Sequence, residues 1–239
     1  MPSTHEPGQN HLLAALTASE YQRLVPDLER VELKHGASLA ESGQPMQHVY
    51  FPTDSIVSLL CVMEAGDSTE IAVVGFEGIV GISLFMGGET TPTRAIVQSA
   101  GTAYRLKGQR LKDEFSRGGP MQGLLLRYTQ ALLTQMAQTA VCNRHHSLDK
   151  QLCRWLLLSL DRLPTNELRM TQELIANMLG VRREGVTESA GKLQKAGLIA
   201  YQRGRITILD KSGLEDRACE CYKIVKQEYA RLLPDSSIV

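Results

Sequence analysis

The chain has 239 residues, 43% of them hydrophobic, and its 26 Lys/Arg balance its 26 Asp/Glu. That is enough for two modest domains with packed cores, and no apolar run approaches the roughly 20 residues a membrane span needs. Five scattered cysteines, an odd number, fit a reducing compartment better than a disulfide framework. The N-terminus, "MPSTHEPGQNHLLAAL", lacks the basic start and uninterrupted apolar stretch of a signal peptide, so the expected location is cytoplasmic.

In chain order, residues 10–28 read as a short amphipathic helix. The next fifty residues, from "VELKHGASLAES" to "GFEGIVGI", break into short β-branched runs separated by Gly, Pro, Asp and Ser, and the pattern continues through "RAIVQSAGTAYRL". This is the signature of an antiparallel barrel or roll. From about Gly119 the period becomes helical, with Leu125, Tyr128, Leu132, Met136 and Thr139 on one stripe and Leu126, Leu133 and Ala140 beside it. The length of this helix and its apolar character on more than one side favour a homodimer seam over packing on its own roll. From Asp149 onward, 15 Lys/Arg stand against 12 Asp/Glu, which gives +3 and leaves −3 for the remainder. The basic residues gather at Arg182, Arg183, Lys192, Lys195, Arg203, Arg205 and Lys211, where acids are few.

A second helix, "QLCRWLLLSLDRL", with Trp155 as core, is followed by Pro164 and a short polar link, and then the spacing becomes specific. Thr171 can cap a helix that turns Leu174, Ile175 and Met178 inward, and Gly180 supplies the left-handed backbone that ends it. The next helix buries Val186, Ala190 and Leu193 and leaves Arg182, Arg183, Glu184, Thr187 and Glu188 facing outward on its first turns. This is a helix-turn-helix, followed by two short strands about Arg203-Gly204 that form a basic-tipped wing. Two arginines at a helix start oppose the helix dipole and cost about 0.3–1 kcal/mol each; they lie where a recognition helix meets a phosphate-lined major groove. The whole reads as α+β: a β-roll with an N-terminal helix over 1–118, a dimerisation helix and hinge over 119–148, and a winged helix-turn-helix with a C-terminal helix over 149–239.

From about Leu12 to about Asp210 the sequence resembles the bacterial Crp/Fnr transcription regulators, most closely in "TQELIANMLGVRREGVTESAGKLQKAGLI" and also in "GASLAESGQPMQHVYFP" and "GFEGIVGISLFMGG". The resemblance implies a roll of the cyclic-nucleotide-binding type, a central dimer helix and a winged helix on a two-fold symmetric operator, with RNA polymerase as a further partner. Arg183 and Glu184 match the family's base-reading pair, and the chemistry agrees: Arg can grip guanine O6 and N7, and Glu can accept from the cytosine amino group. Glu188 stands where the family often has a DNA-contacting Arg, which points to an altered half-site. Thr187 fits a thymine methyl or a phosphate, and Gly185 either permits close backbone approach or is merely tolerated on an exposed turn. Arg182, Lys192 and Arg203 are expected as phosphate contacts, with Thr171 at the edge of the same surface.

The corresponding ligand pocket comprises Gly78, Ile79, Gly81, Thr93, Arg94 and Ala95. Ile79 replaces the glutamate that takes a ribose hydroxyl, and Thr93 falls where the phosphate-binding Arg is expected. Leaving that hydroxyl unpaired costs roughly 1–3 kcal/mol, so the effector is expected not to be cyclic AMP; another cyclic mono- or dinucleotide, another anion, or no ligand at all remains open. No cofactor is expected. The N-terminal cysteine cluster of iron–sulfur members is absent. His145 and His146 sit at the hinge, where a metal or haem ligand would act as a switch, but neighbouring side chains on a helix point about 100° apart, and Cys219 and Cys221 on a C-terminal helix would splay likewise. No metal ligand is assigned. There is no phosphate loop, nucleophile elbow or His/Glu helix motif, so no enzyme is expected. The other reading is an adaptor that uses roll and long helix for protein contacts without binding DNA.

Overall fold

Two side-chain caps organise the start of the chain, in a computed structural model that describes residues 6–233. Asn10 Oδ1 accepts from the backbone of Leu12 and Leu13 to open α1 (His11–Ala14), and a Thr17/Glu20 capping box opens α2 (Ala18–Leu24). Residues 10–28 thus hold two short helices rather than one, because Thr17 and Glu20 restart the helix after Leu16.

The roll follows as β1 (Glu29–Leu33), β2 (Ser38–Ala40), β3 (His48–Pro52), β4 (Ile56–Val62), β5 (Ser68–Val74), β6 (Thr93–Ser99) and β7 (Gly101–Lys107). These form two antiparallel sheets, ordered β1-β7-β3 and β2-β6-β4-β5. Val49, Phe51, Val57, Val97, Ala103 and Leu106 fill the space between them. Helix α3 (Gly108–Ser116), which the sequence reading did not anticipate, leads into α4 (Pro120–His145).

Helix α4 corrects the expected seam. Leu125, Tyr128 and Leu132 are buried within their own chain, the Tyr128 hydroxyl donates to the Ile79 carbonyl at 3.2 Å, and half-buried Met136 faces the roll. What α4 leaves open is the neighbouring stripe, with Leu126 and Leu133 51% and 54% exposed and Ala137 and Ala140 exposed beyond them. A helix apolar on two faces does not tell from sequence which face its own domain takes. On the inner face, Gln135 satisfies the edge of β5, accepting from Val73 N at 2.8 Å and donating to Val73 O at 3.2 Å.

Helix α5 (Leu148–Leu160) buries Trp155 as expected, and its indole donates to Glu70 Oε1 of β5 at 2.8 Å. Burial raises the Glu70 carboxyl to about 7, against hydrogen bonds from Ser58 and Trp155 and the charges of Arg154 and Arg162. The folded chain therefore keeps a proton that the unfolded chain, near 4.5, gives up. Stability from this group is complete below about pH 4.5 and is lost as pH rises through 7, by on the order of 3 kcal/mol. Chemical denaturation of the native chain and of Glu70→Gln across pH 4.5–8 should show that difference disappearing in the variant; parallel curves would remove Glu70 as the cause.

The C-terminal part contains β8 (Glu167–Arg169), α6 (Gln172–Leu179), α7 (Arg183–Lys195), β9 (Ile199–Gln202), β10 (Arg205–Ile208), α8 (Lys211–Arg217) and α9 (Glu220–Leu232). The expected hairpin, β9 and β10 about Arg203-Gly204, is present, and β8 adds a third strand in the order β8-β10-β9; three residues inside a polar link are too few to show a strand period. Helix α9 lies along α4, burying Tyr222, Val225 and Tyr229. Cys219 and Cys221 do not share a helix: Cys219 is extended (φ −87°, ψ 167°), immediately before α9. Among the described residues no helix is long and apolar enough to cross a membrane.

Candidate nucleic-acid interface

Local chemistry sets each boundary of the helix-turn-helix. Thr171 Oγ1 accepts from Leu174 N at 3.2 Å to cap α6, and Gly180 ends it at φ 66°. A side chain at Gly180 is excluded twice, by that φ and because a Cβ would lie 2.6 Å from Thr69 Oγ1 of β5. Val181 half-plugs the turn, and α7 turns Val186, Ala190 and Leu193 inward, all buried. Arg182 occupies the extended N-cap position of α7 with no side-chain cap bond, the arrangement the doubled arginines predict.

The outward turns are open. Arg182, Arg183, Glu184, Thr187 and Glu188 are all exposed, and no other part of the described chain covers them. Across from them, the wing turns at Arg203 (φ 49°) and Gly204 (φ 74°), two consecutive left-handed residues that make a tight hairpin. Arg203 is the single non-glycine with positive φ among the described residues, and its exposed side chain sits at the tip. Thr171, Arg183, Thr187, Gly191, Arg203 and Gly204 line one open groove of about 630 Å³ between α6, α7 and the wing.

Two expected residues behave differently. Lys192 is held by two carboxylates, Glu188 Oε1 at 2.9 Å and Asp149 Oδ2 at 3.4 Å, whose hydrogen bonds raise its pKa. Its ammonium is already paired, and it faces the carboxylate of Glu188. Gly185 is half-buried rather than on an exposed turn, and a Cβ there would lie 2.8 Å from Leu148 Cδ2. Sequence reasoning missed Gln172, whose Oε1 lies 2.7 Å from the Thr187 hydroxyl and which lines the groove; its position directly after the cap was the available signal.

The pocket expected in the roll is only partly assembled. Gly81, Thr93 and Ala95 line a cavity of about 90 Å³ with Leu59, Val80 and Met136. Gly78, Ile79 and Arg94 lie outside it. Gly78 is pressed under the Tyr128 ring, which a Cβ would strike, Ile79 is buried, and Arg94 turns out to pair with Glu41 Oε2 at 2.9 Å. Ligand pockets run to about 300–1,000 Å³, so this mostly apolar cavity has no room for a nucleotide.

Comparison with known proteins agrees with this layout. Residues 150–217 match the family model of the Crp-like helix-turn-helix domain and residues 30–117 that of the cyclic nucleotide-binding domain. The global nitrogen regulator of Synechococcus elongatus is 20% identical over 219 residues, spanning 87% of this chain and 97% of that protein. A protein from Eubacterium rectale, described as a transcriptional regulator of the Crp/Fnr family, has a similar fold (TM-score 0.69, 20% identity, 88% of this chain and 98% of that one). FixK2 from Bradyrhizobium japonicum does too, with TM-score 0.69 at 14% identity over 80% of this chain and 98% of its own.

Proposed function

Because the chain belongs to the Crp/Fnr family of transcription regulators, we propose that it binds DNA sequence-specifically as a homodimer, placing the two α7 helices in successive major grooves about 34 Å apart. The observation that carries this reading is the open groove that Arg183 and Thr187 line together with the wing tip at Arg203, with Arg182 and Glu184 exposed on the same first turn of α7. Arg183 and Glu184 read base edges, and Arg182 and Arg203 contact phosphates and fix the register. Lys192, exposed and paired with Glu188 and Asp149, would exchange these carboxylates for a phosphate. RNA polymerase is the expected further partner.

A homodimer is supported by α4. Its exposed residues Leu126, Gln130, Leu133, Ala137, Ala140 and Arg144 recur at alternating intervals of four and three, the repeat of a paired helix. Each leucine buried in such a seam contributes about 1.5–3 kcal/mol. Leu126→Asp with Leu133→Asp should therefore sediment as a monomer at concentrations where the native chain is a dimer, with unchanged circular dichroism. Equal sedimentation of both would move the dimer surface elsewhere.

The cavity of about 90 Å³ and the pairing of Arg94 with Glu41 argue against cyclic AMP bound in the family manner. Selection of duplexes from a random pool by the native chain tests the function. A near-palindromic site should be enriched; a pool that stays random would favour an adaptor that works through roll and long helix.

A further inference from the structure

Four side chains from distant parts of the sequence meet where α4 ends. Cys142 lies in the last turn of α4, His146 is the extended residue that ends it, Cys219 immediately precedes α9, and Cys221 lies in its first turn. The three sulfurs and one imidazole nitrogen all lie within 4.8 Å of one another. Cys142 Sγ is 3.5 Å from Cys219 Sγ, and Cys221 Sγ is 3.6 Å from His146 Nδ1. The three cysteines are buried, free of disulfides, and form a small cluster of their own apart from the main core. We propose that Cys142, His146, Cys219 and Cys221 form a closed, structural zinc site that clasps α9 to the end of α4.

The distances fit that ion. Zinc bonds of about 2.3 Å to sulfur and 2.0–2.1 Å to nitrogen, in a tetrahedron, set neighbouring ligand atoms about 3.5–3.8 Å apart. A disulfide needs its sulfurs at about 2.05 Å, far inside the separation seen here. An iron–sulfur cluster puts its own iron and sulfide atoms between the cysteines and needs more space than this group offers. Three thiols with one imidazole is a soft donor set, which disfavours magnesium and calcium. With four protein ligands no position remains for water, so the site is structural rather than catalytic.

The surroundings add two independent features. His146 turns Nδ1 toward the sulfurs and Nε2 toward Glu220 Oε1, 3.4 Å away, the carboxylate–histidine arrangement that orients an imidazole on a metal. Buried Arg154 brings a positive charge to the end of α4, where its Nη1 donates to Thr139 Oγ1 at 3.1 Å, and this charge would offset the net negative charge of three thiolates around a dication. The ligands come in pairs that bracket residues 150–217: one pair just before this segment and one just after it. Zinc would tie both ends of the helix-turn-helix segment together at the hinge.

The test uses the full chain, purified under reducing conditions and dialysed against zinc. It should retain one zinc per chain, gain thermal stability on zinc addition, and show the visible ligand-field and thiolate charge-transfer bands of a tetrahedral site when cobalt replaces zinc. Glu220 is exposed, so Glu220→Gln should fold normally and lose about 10–100-fold in zinc affinity. Cys221→Ser should lose the cobalt bands, whereas Cys61→Ser, at an exposed cysteine outside the cluster, should keep them. A reduced native chain that retains no stoichiometric zinc in excess metal overturns the proposal, as does a cobalt spectrum that survives Cys221→Ser. Because the deciding measurement is made on the native chain, a variant that misfolds leaves the outcome intact.

Discussion

Replacing Arg162 with methionine should destabilise the folded chain by about 3–5 kcal/mol, the cost of leaving one buried charge without its partner. Arg162 and Glu77 are both fully buried, with Arg162 Nε 2.7 Å from Glu77 Oε1. The guanidinium also donates from Nη1 to the Leu158 carbonyl at 2.7 Å and stacks over the Tyr229 ring at 5.7 Å, while Glu77 accepts from Gly75 N. One side chain thus joins the loop after β5, the end of α5 and the C-terminal helix. The approach is so close that a Cβ on Gly75 would sit 2.8 Å from the Arg162 Cβ. Glu77 holds the Arg162 charge firmly, raising its pKa against the desolvation that would lower it. Removing both charges in Arg162→Met with Glu77→Gln should recover most of the loss, because the cost lies in the unpaired ion rather than in the missing pair. Denaturant unfolding of the two variants checks this. A single variant within about 1 kcal/mol of the native chain, or a double variant no better than the single, would contradict the burial of this pair.

Neither partner of that ion pair can be recognised in sequence. Arg162 sits in "LDRLP", which reads as the polar end of a helix, and only the 85-residue separation closed by the fold reveals its place. The same holds for Cys142 and Cys219, 77 residues apart, and for α4, whose two apolar stripes look alike until the roll has taken one of them. The helix-turn-helix was legible because its signals are local: a cap at Thr171, a left-handed glycine at 180, and Val186, Ala190 and Leu193 at helical spacing. The roll was legible as a class of structure from its β-branched runs, but not its internal cavity. Which of Gly78, Gly81, Thr93 and Arg94 line that cavity depends on Tyr128 and Met136 reaching in from α4.

The second large effect concerns DNA. A site selected by the native chain should bind about 10³-fold or more tightly than a duplex of the same composition in scrambled order, a difference of about 4 kcal/mol or more. Most of the binding that both duplexes share should come from phosphate contacts, those proposed for Arg182 and the wing tip Arg203, and should fall steeply with salt as counterions return. Arg203→Ala should weaken both duplexes about equally and reduce the salt slope by about 1. Arg183 should act on the difference between them. Its guanidinium stands exposed on the first turn of α7, with Glu184 beside it, so Arg183→Ala should cost about 1–3 kcal/mol on the selected site and relax preference at one base pair of each half-site. Stability should not fall and should rise by up to about 0.3–1 kcal/mol, since Arg183 is exposed and its removal takes a cation from the positive end of a helix.

The most direct measurement is the ratio of affinities for the selected and scrambled duplexes, taken over a range of salt for the native chain and for Arg183→Ala in parallel. A ratio of about 10³ or more that drops by about 1–3 kcal/mol in the variant is the predicted result. A native ratio near one, or a large ratio that Arg183→Ala leaves untouched, would contradict the placement of the start of α7 against base edges.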